Sequence, residues 1–123
     1  MKFLLPLSLL AVLATGPALA DCTVPTHSIK VPSAATATKD EMLAVSRELK
    51  TWNTEVVDYK SCLDQQQDAA IAALGDKATD DQRNKIAKKY LDLYNNEVDK
   101  LTDVANRFNT EVKAFKAKNP PAN

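Results

Sequence analysis

The chain has 123 residues, 45% of them hydrophobic, with 16 basic and 16 acidic side chains and a formal net charge of zero. That length suits one domain, and so even a charge balance leaves no electrostatic footprint for nucleic acid. Only two glycines occur, which disfavours a turn-rich β fold and suits long helices.

Residues 1–20 read as a signal peptide. Lys2 gives the positive start, "FLLPLSLLAVLA" the apolar middle, and Ala18-Leu19-Ala20 the small-x-small site for signal peptidase. The apolar run is about a dozen residues, short of the roughly 20 that a bilayer-spanning helix needs. No stable membrane anchor is therefore expected after cleavage. Lipidation of Cys22 is disfavoured too, because Asp21 stands where a lipobox has a small residue. Cleavage after Ala20 is expected to leave a soluble mature chain beginning at Asp21, located in the periplasm or secreted.

Residues 21–37, "DCTVPTHSIKVPSAATA", carry Pro25 and Pro32 and no helical period. They read as an extended or polyproline-like arm. A capping box of Thr38 and Glu41 then opens a helix over 38–74, the hydroxyl and the carboxylate satisfying free amides reciprocally. Its apolar row is Met42, Val45, Leu49, Trp52, Val56, Tyr59, Leu63, Gln66, Ala70 and Ala73. Alternating spacings of three and four make this a heptad seam. Gln66 is its one polar member and a candidate for fixing register, and Gly75 supplies the stop.

Thr79 and Gln82 form a second capping box, opening a helix over 79–118. Its row runs Ala87, Leu91, Tyr94, Val98, Leu101, Ala105, Phe108, Val112 and Phe115, and Pro120-Pro121 in the tail, 119–123, forbids continuation. Two helices of similar length with a short connection predict an all-α fold: a long antiparallel two-helix hairpin, coiled-coil-like, with an extended N-terminal arm. Centring the turn near residue 77 sets Trp52 against Leu101 and Val45 against Phe108. The rod is then roughly 55 Å long.

In an oxidising compartment an even pair of cysteines defaults to a disulfide. Cys22 and Cys62 are the two, with free thiols or an intermolecular bridge as the alternatives. The bridge is geometrically feasible, since 16 extended residues span about 50 Å and the helix from Thr38 to Cys62 rises about 36 Å. It requires the arm to run back along the first helix. Apolar residues outside the seam, among them Ile86, Tyr90 and Leu93, form a candidate partner surface for another protein or a homodimer.

No catalytic constellation stands out. His27, the single histidine, reads as a solvated arm residue. Asp40-Glu41 and Asp80-Asp81 read as first-turn acids favoured by the helix dipole. The aromatics at seam positions read as packing, and "KAFKAK" as a solvated basic helix end. No enzyme activity, metal or cofactor is expected.

Three motifs carry a resemblance: Thr38-Lys39-Asp40-Glu41-Met42, Tyr59-Lys60-Ser61-Cys62-Leu63, and the run from Phe108 to Phe115, "FNTEVKAF". Over its mature length the chain resembles a family of small, uncharacterised exported bacterial proteins with an "AT-x-x-EM", "Y-x-x-C-L", "F-N-x-x-V-x-x-F" pattern. That resemblance implies the architecture and no activity. "ATDDQRNKI", residues 78–86, locally looks like the L-T-x-x-Q motif of Spy-like periplasmic chaperones, with Ala78 in place of leucine. Skp-like chaperones, also exported helical rods, are strongly basic, unlike this chain. The expected function is therefore that of a non-enzymatic exported hairpin working through protein–protein contacts, with a Spy-like chaperone for unfolded envelope proteins as the alternative.

Overall fold

The computed structural model describes residues 20–122, so the expected signal segment, except Ala20, lies outside the described residues. Two helices, α1 (Lys39–Ala73) and α2 (Asp80–Lys118), pack against each other with no strand among the described residues. Both begin where the capping boxes place them. The Thr38 and Thr79 hydroxyls accept from the Glu41 and Gln82 amides. The Glu41 and Gln82 side chains in turn accept from the Thr38 and Thr79 amides. Two amides that would otherwise lack partners are satisfied at each helix start.

The connection is short because Gly75 takes a left-handed turn, φ +73°, after its amide has donated to the Ala72 carbonyl. A side chain is strained in that conformation, whereas glycine is not. At the far end, the Asn119 amide closes on the Phe115 carbonyl at 2.9 Å, and the prolines follow.

The core is a stripe rather than a ball. Near the open end of the hairpin, Met42 and Val45 meet Phe108. Leu49, Val112 and Phe115, with Ile29, Val31 and Ala37 from the arm segment, surround them. Trp52, Val56, Tyr59 and Leu63 continue the buried stripe to mid-rod. Towards the turn the seam loosens: Gln66 and Ala70 are half-buried and Ala73 is exposed. Small side chains there have little apolar area to lose.

The seam of α2 departs from expectation at Leu91 and is wider than expected on one side. Leu91, placed in the seam by spacing, is 54% exposed, while Glu97 is 2% exposed. The buried row includes Tyr90, Tyr94, Glu97, Leu101, Val104, Phe108, Glu111 and Phe115, all buried or half-buried. This row shares Tyr94, Leu101, Phe108 and Phe115 with the expected one and adds Tyr90, Glu97, Val104 and Glu111, while the expected Ala87, Val98, Ala105 and Val112 stay half-buried beside it. The reason is the arm. It lies along the flank of α2 that carries Glu97, Val104 and Glu111, and so widens burial on that side.

The arm itself folds back along α1. A turn at 33–37, with the Thr36 and Ala37 amides donating to the Ser33 carbonyl at 3.1 and 2.8 Å, reverses the chain. Helix α2 holds the turn from its last turns: the Glu111 carboxylate accepts from the Ala34 amide at 2.7 Å, and Lys118 Nζ donates to the Ala35 carbonyl at 2.6 Å. At the other end, Cys22 and Cys62 stand bonded, with Sγ atoms 1.98 Å and Cα atoms 5.7 Å apart.

Candidate functional site: the arm in the helix groove

From Val24 to Val31, between its two anchor points, the arm follows a period of two. Pro25 is buried and His27, Ile29 and Val31 are half-buried, while Val24, Thr26, Ser28 and Lys30 face out. An extended chain presents alternate residues to one side, so one face of the arm enters the groove between the helices. Among the described residues no backbone–backbone hydrogen bond joins residues 21–32 to either helix. Side chains hold this stretch in place.

His27 is where the arm meets charge. Its ring stacks on Trp52 with centroids 5.2 Å apart and planes inclined by 25°. Its Nε2–H donates to Glu55 Oε2 at 2.7 Å, since a carboxylate only accepts. The side chain is 18% exposed, which corrects the expectation of a solvated arm histidine. Folding the arm back over Trp52 buries it, and Glu55 satisfies the nitrogen that faces out.

Across the groove, α2 contributes Glu97. Its Oε1 accepts from Lys100 Nζ at 2.6 Å, while Oε2 is buried without a partner, as is Trp52 Nε1. Both residues line a cleft of about 290 Å³ with Pro25, Thr26, His27, Lys100, Asp103 and Val104. The Tyr59 phenol is pushed above its ordinary value, first by burial and then by the charge of Glu97, with Lys100 opposing. A second cleft, about 570 Å³, opens on the other side of His27. Thr23, Val24, Glu55, Asp58, Tyr59 and Cys62 are among the residues lining it, so the cleft borders the Cys62 half of the disulfide, whose two cysteines are half-buried.

The opposite flank of the hairpin has no arm. Lys60 extends across it to lie 5.7 Å above the Tyr94 ring, held as a cation by its hydrogen bond to Asp64. One turn before each of these residues sit Val57 and Leu91, 59% and 54% exposed. The candidate partner residues lie elsewhere. Ile86, Tyr90 and Leu93 continue the row of Glu97 and Val104 at spacings of three and four, and so share the arm's flank nearer the hairpin turn. Ile86 and Tyr90 are half-buried and Leu93 is exposed. Gln66, read as a register residue, donates to the Ala20 carbonyl at 3.1 Å, where the described arm begins.

Sequence reasoning found the disulfide partners, the caps and the core aromatics, and it missed His27 and Glu97. A signal for His27 existed: Pro25, His27, Ile29 and Val31 alternate with polar residues over the arm's middle. Glu97 sits at helical spacing between Tyr94 and Leu101, yet a carboxylate in an apolar row reads as a solvated position.

Among the described residues no group of three or more histidine, cysteine or acidic side chains converges as a metal site. No described helix is long and apolar enough to cross a membrane. The fold and the site together define a disulfide-stapled helical hairpin carrying its own extended segment in the groove. No known protein family, curated protein or solved structure matches the chain.

Proposed function

We propose that the protein is exported to the periplasm or secreted, and acts there without catalysis by binding other proteins on its helix faces. The observation that carries this reading is the bare flank around Val57, Lys60, Leu91 and Tyr94. Two large apolar side chains stay more than half exposed there beside an aromatic ring capped by a cation. Such a face is costly to leave in water and is suited to a partner's apolar side chains. The basic-to-aliphatic stretch at residues 2–20 and the Cys22–Cys62 pair support the compartment.

The test is a photo-crosslinking residue placed at Val57, at Leu91 or at exposed Asp99 in the full-length protein expressed in a Gram-negative host. The expected outcome is one shared partner captured from Val57 and Leu91 and not from Asp99. Equal labelling from all three positions would overturn the reading. Amino-terminal sequencing of the same material checks the compartment, with Asp21 as the expected first residue.

A second reading, a chaperone for unfolded envelope proteins, is favoured by the row Ile86, Tyr90 and Leu93, which prolongs an apolar groove beyond the arm. Suppression of client aggregation at stoichiometric amounts distinguishes it; absence of protection removes it.

A further inference from the structure

The groove that the arm fills is itself a binding surface, and the arm shows what fits it. Pro25, His27, Ile29 and Val31 enter one after another at the period of an extended chain. They meet a ladder of pockets: Tyr59 and Cys62 near the staple, then Trp52, Glu97 and Val104, then Met42, Val45 and Phe108. Without backbone pairing between 21–32 and the helices, recognition rests on apolar side chains at alternate positions of an extended segment. The arm is held at one end by the turn bonded to Glu111 and Lys118 and at the other by one covalent bond.

We propose that this groove is a docking site for an extended segment of an unfolded polypeptide with alternating apolar residues, closed by the Cys22–Cys62 disulfide and opened when a dithiol reduces it. The reductant is of the class carried by dithiol oxidoreductases. Its thiolate attacks one sulfur of the bridge and forms a mixed disulfide while the other sulfur leaves as a thiolate. The second thiol of the reductant then displaces the remaining cysteine. Two electrons and two protons pass from the dithiol, which ends as a disulfide, to Cys22 and Cys62, which end as thiols. Access is provided by the open cleft in which Cys62 is a wall residue.

Once the bond is broken, the arm stays tethered through the turn at 33–37. It remains a competitor at high local concentration, but one that exchanges with added segments. While the bond is closed, both ends of the arm are fixed and exchange requires the hairpin itself to open. The Ile86, Tyr90 and Leu93 row gives an incoming segment apolar surface beyond the arm's own footprint. This inference rests on the reading of the protein as a binder of other proteins and specifies the chemistry of one partner class.

The experiment uses the full mature protein in oxidised and dithiol-reduced forms, with the double variant Cys22→Ser/Cys62→Ser as a reductant-free equivalent. The probe is a dye-labelled peptide of residues 21–37 carrying Cys22→Ser, followed by fluorescence anisotropy. The expected result is binding at least about tenfold tighter to the reduced protein and to the double variant than to the oxidised form. The same peptide with Ile29→Asp should lose that binding. An unfolded, thiol-blocked client should displace the parent peptide, and far-ultraviolet circular dichroism should show the helices retained.

Equal binding to oxidised and reduced protein overturns the gate, and so does loss of helix on reduction, because the arm is then an obligatory part of the core. Failure of the client to compete overturns the docking of foreign segments. Dimers formed by exchanged arms, in place of peptide binding, overturn it as well. None of these results touches the Val57–Leu91 flank, whose crosslinking is read separately in oxidised protein.

Discussion

At the scale of single residues the centre of the rod is a compromise around Glu97. A carboxylate that leaves water loses hydration worth several kcal/mol unless both oxygens find donors. Here only Oε1 has a donor, Lys100, and that lysine is itself half-exposed. Removing the acid therefore strands no buried cation. Glu97→Leu should raise stability by about 1–2 kcal/mol, read as an increased urea midpoint at unchanged slope. An equal or lower midpoint would mean that the Lys100 pair outweighs the desolvation. Tyr59 reports on the same charge. Its raised pKa means that the folded chain keeps a proton which the unfolded chain gives up. The stability associated with that group is thus fully present below the unfolded value of about 10 and lost as pH rises through the higher folded value. Across an alkaline series of denaturation curves, wild type should lose ground to Tyr59→Phe only above about pH 10. In Glu97→Leu the phenolate absorbance should appear at lower pH than in wild type, although burial keeps it above the ordinary value.

At the scale of elements, each helix start depends on a local signal that requires nothing distant. Thr38 and Thr79 make the same reciprocal bonds, and an alanine at either site should cost about 1 kcal/mol. The consequences differ by position. Thr38 lies just after the turn that Glu111 and Lys118 secure, so Thr38→Ala should leave the arm in place and lower the melting temperature alone. Thr79 starts α2 at the loosely packed end, where Ala73 is exposed. Thr79→Ala should therefore increase amide exchange over the first turns of α2 with little effect near Phe108. Hydrogen exchange resolved by residue separates the two cases, and uniform acceleration along α2 would contradict the local account. These elements were legible in the sequence because capping boxes and three–four spacing are properties of adjacent residues. The widening of the α2 seam towards Glu97, Val104 and Glu111 was not. Glu97, Val104 and Glu111 meet the arm, a segment about sixty or more positions away in the chain, which local spacing does not register. The burial of His27 was hidden for the same reason: its partners Trp52 and Glu55 belong to α1.

At the scale of the whole molecule, a two-helix rod of roughly 55 Å cannot enclose its apolar surface. The arm resolves half of that problem by covering one groove from Cys22 to the turn at 33–37. The other flank has nothing over it among the described residues, and Val57 and Leu91 stand exposed there. If that flank serves only as solvent-facing helix, charges on it are neutral or helpful to the fold and change nothing else. If it is the contact surface, charges on it leave the fold intact and abolish association. Val57→Asp and Leu91→Asp are therefore expected to shift stability by less than about 1 kcal/mol each, as exposed substitutions do. Each should also remove the crosslinked partner captured from the unsubstituted flank position. Leu93→Asp, on the arm's side of the rod, is the internal control, and it should preserve that capture. Loss of the partner in all three variants would point to a general electrostatic effect. Retention in Val57→Asp and Leu91→Asp with loss in Leu93→Asp would move the contact surface to the arm's flank, around Ile86 and Tyr90.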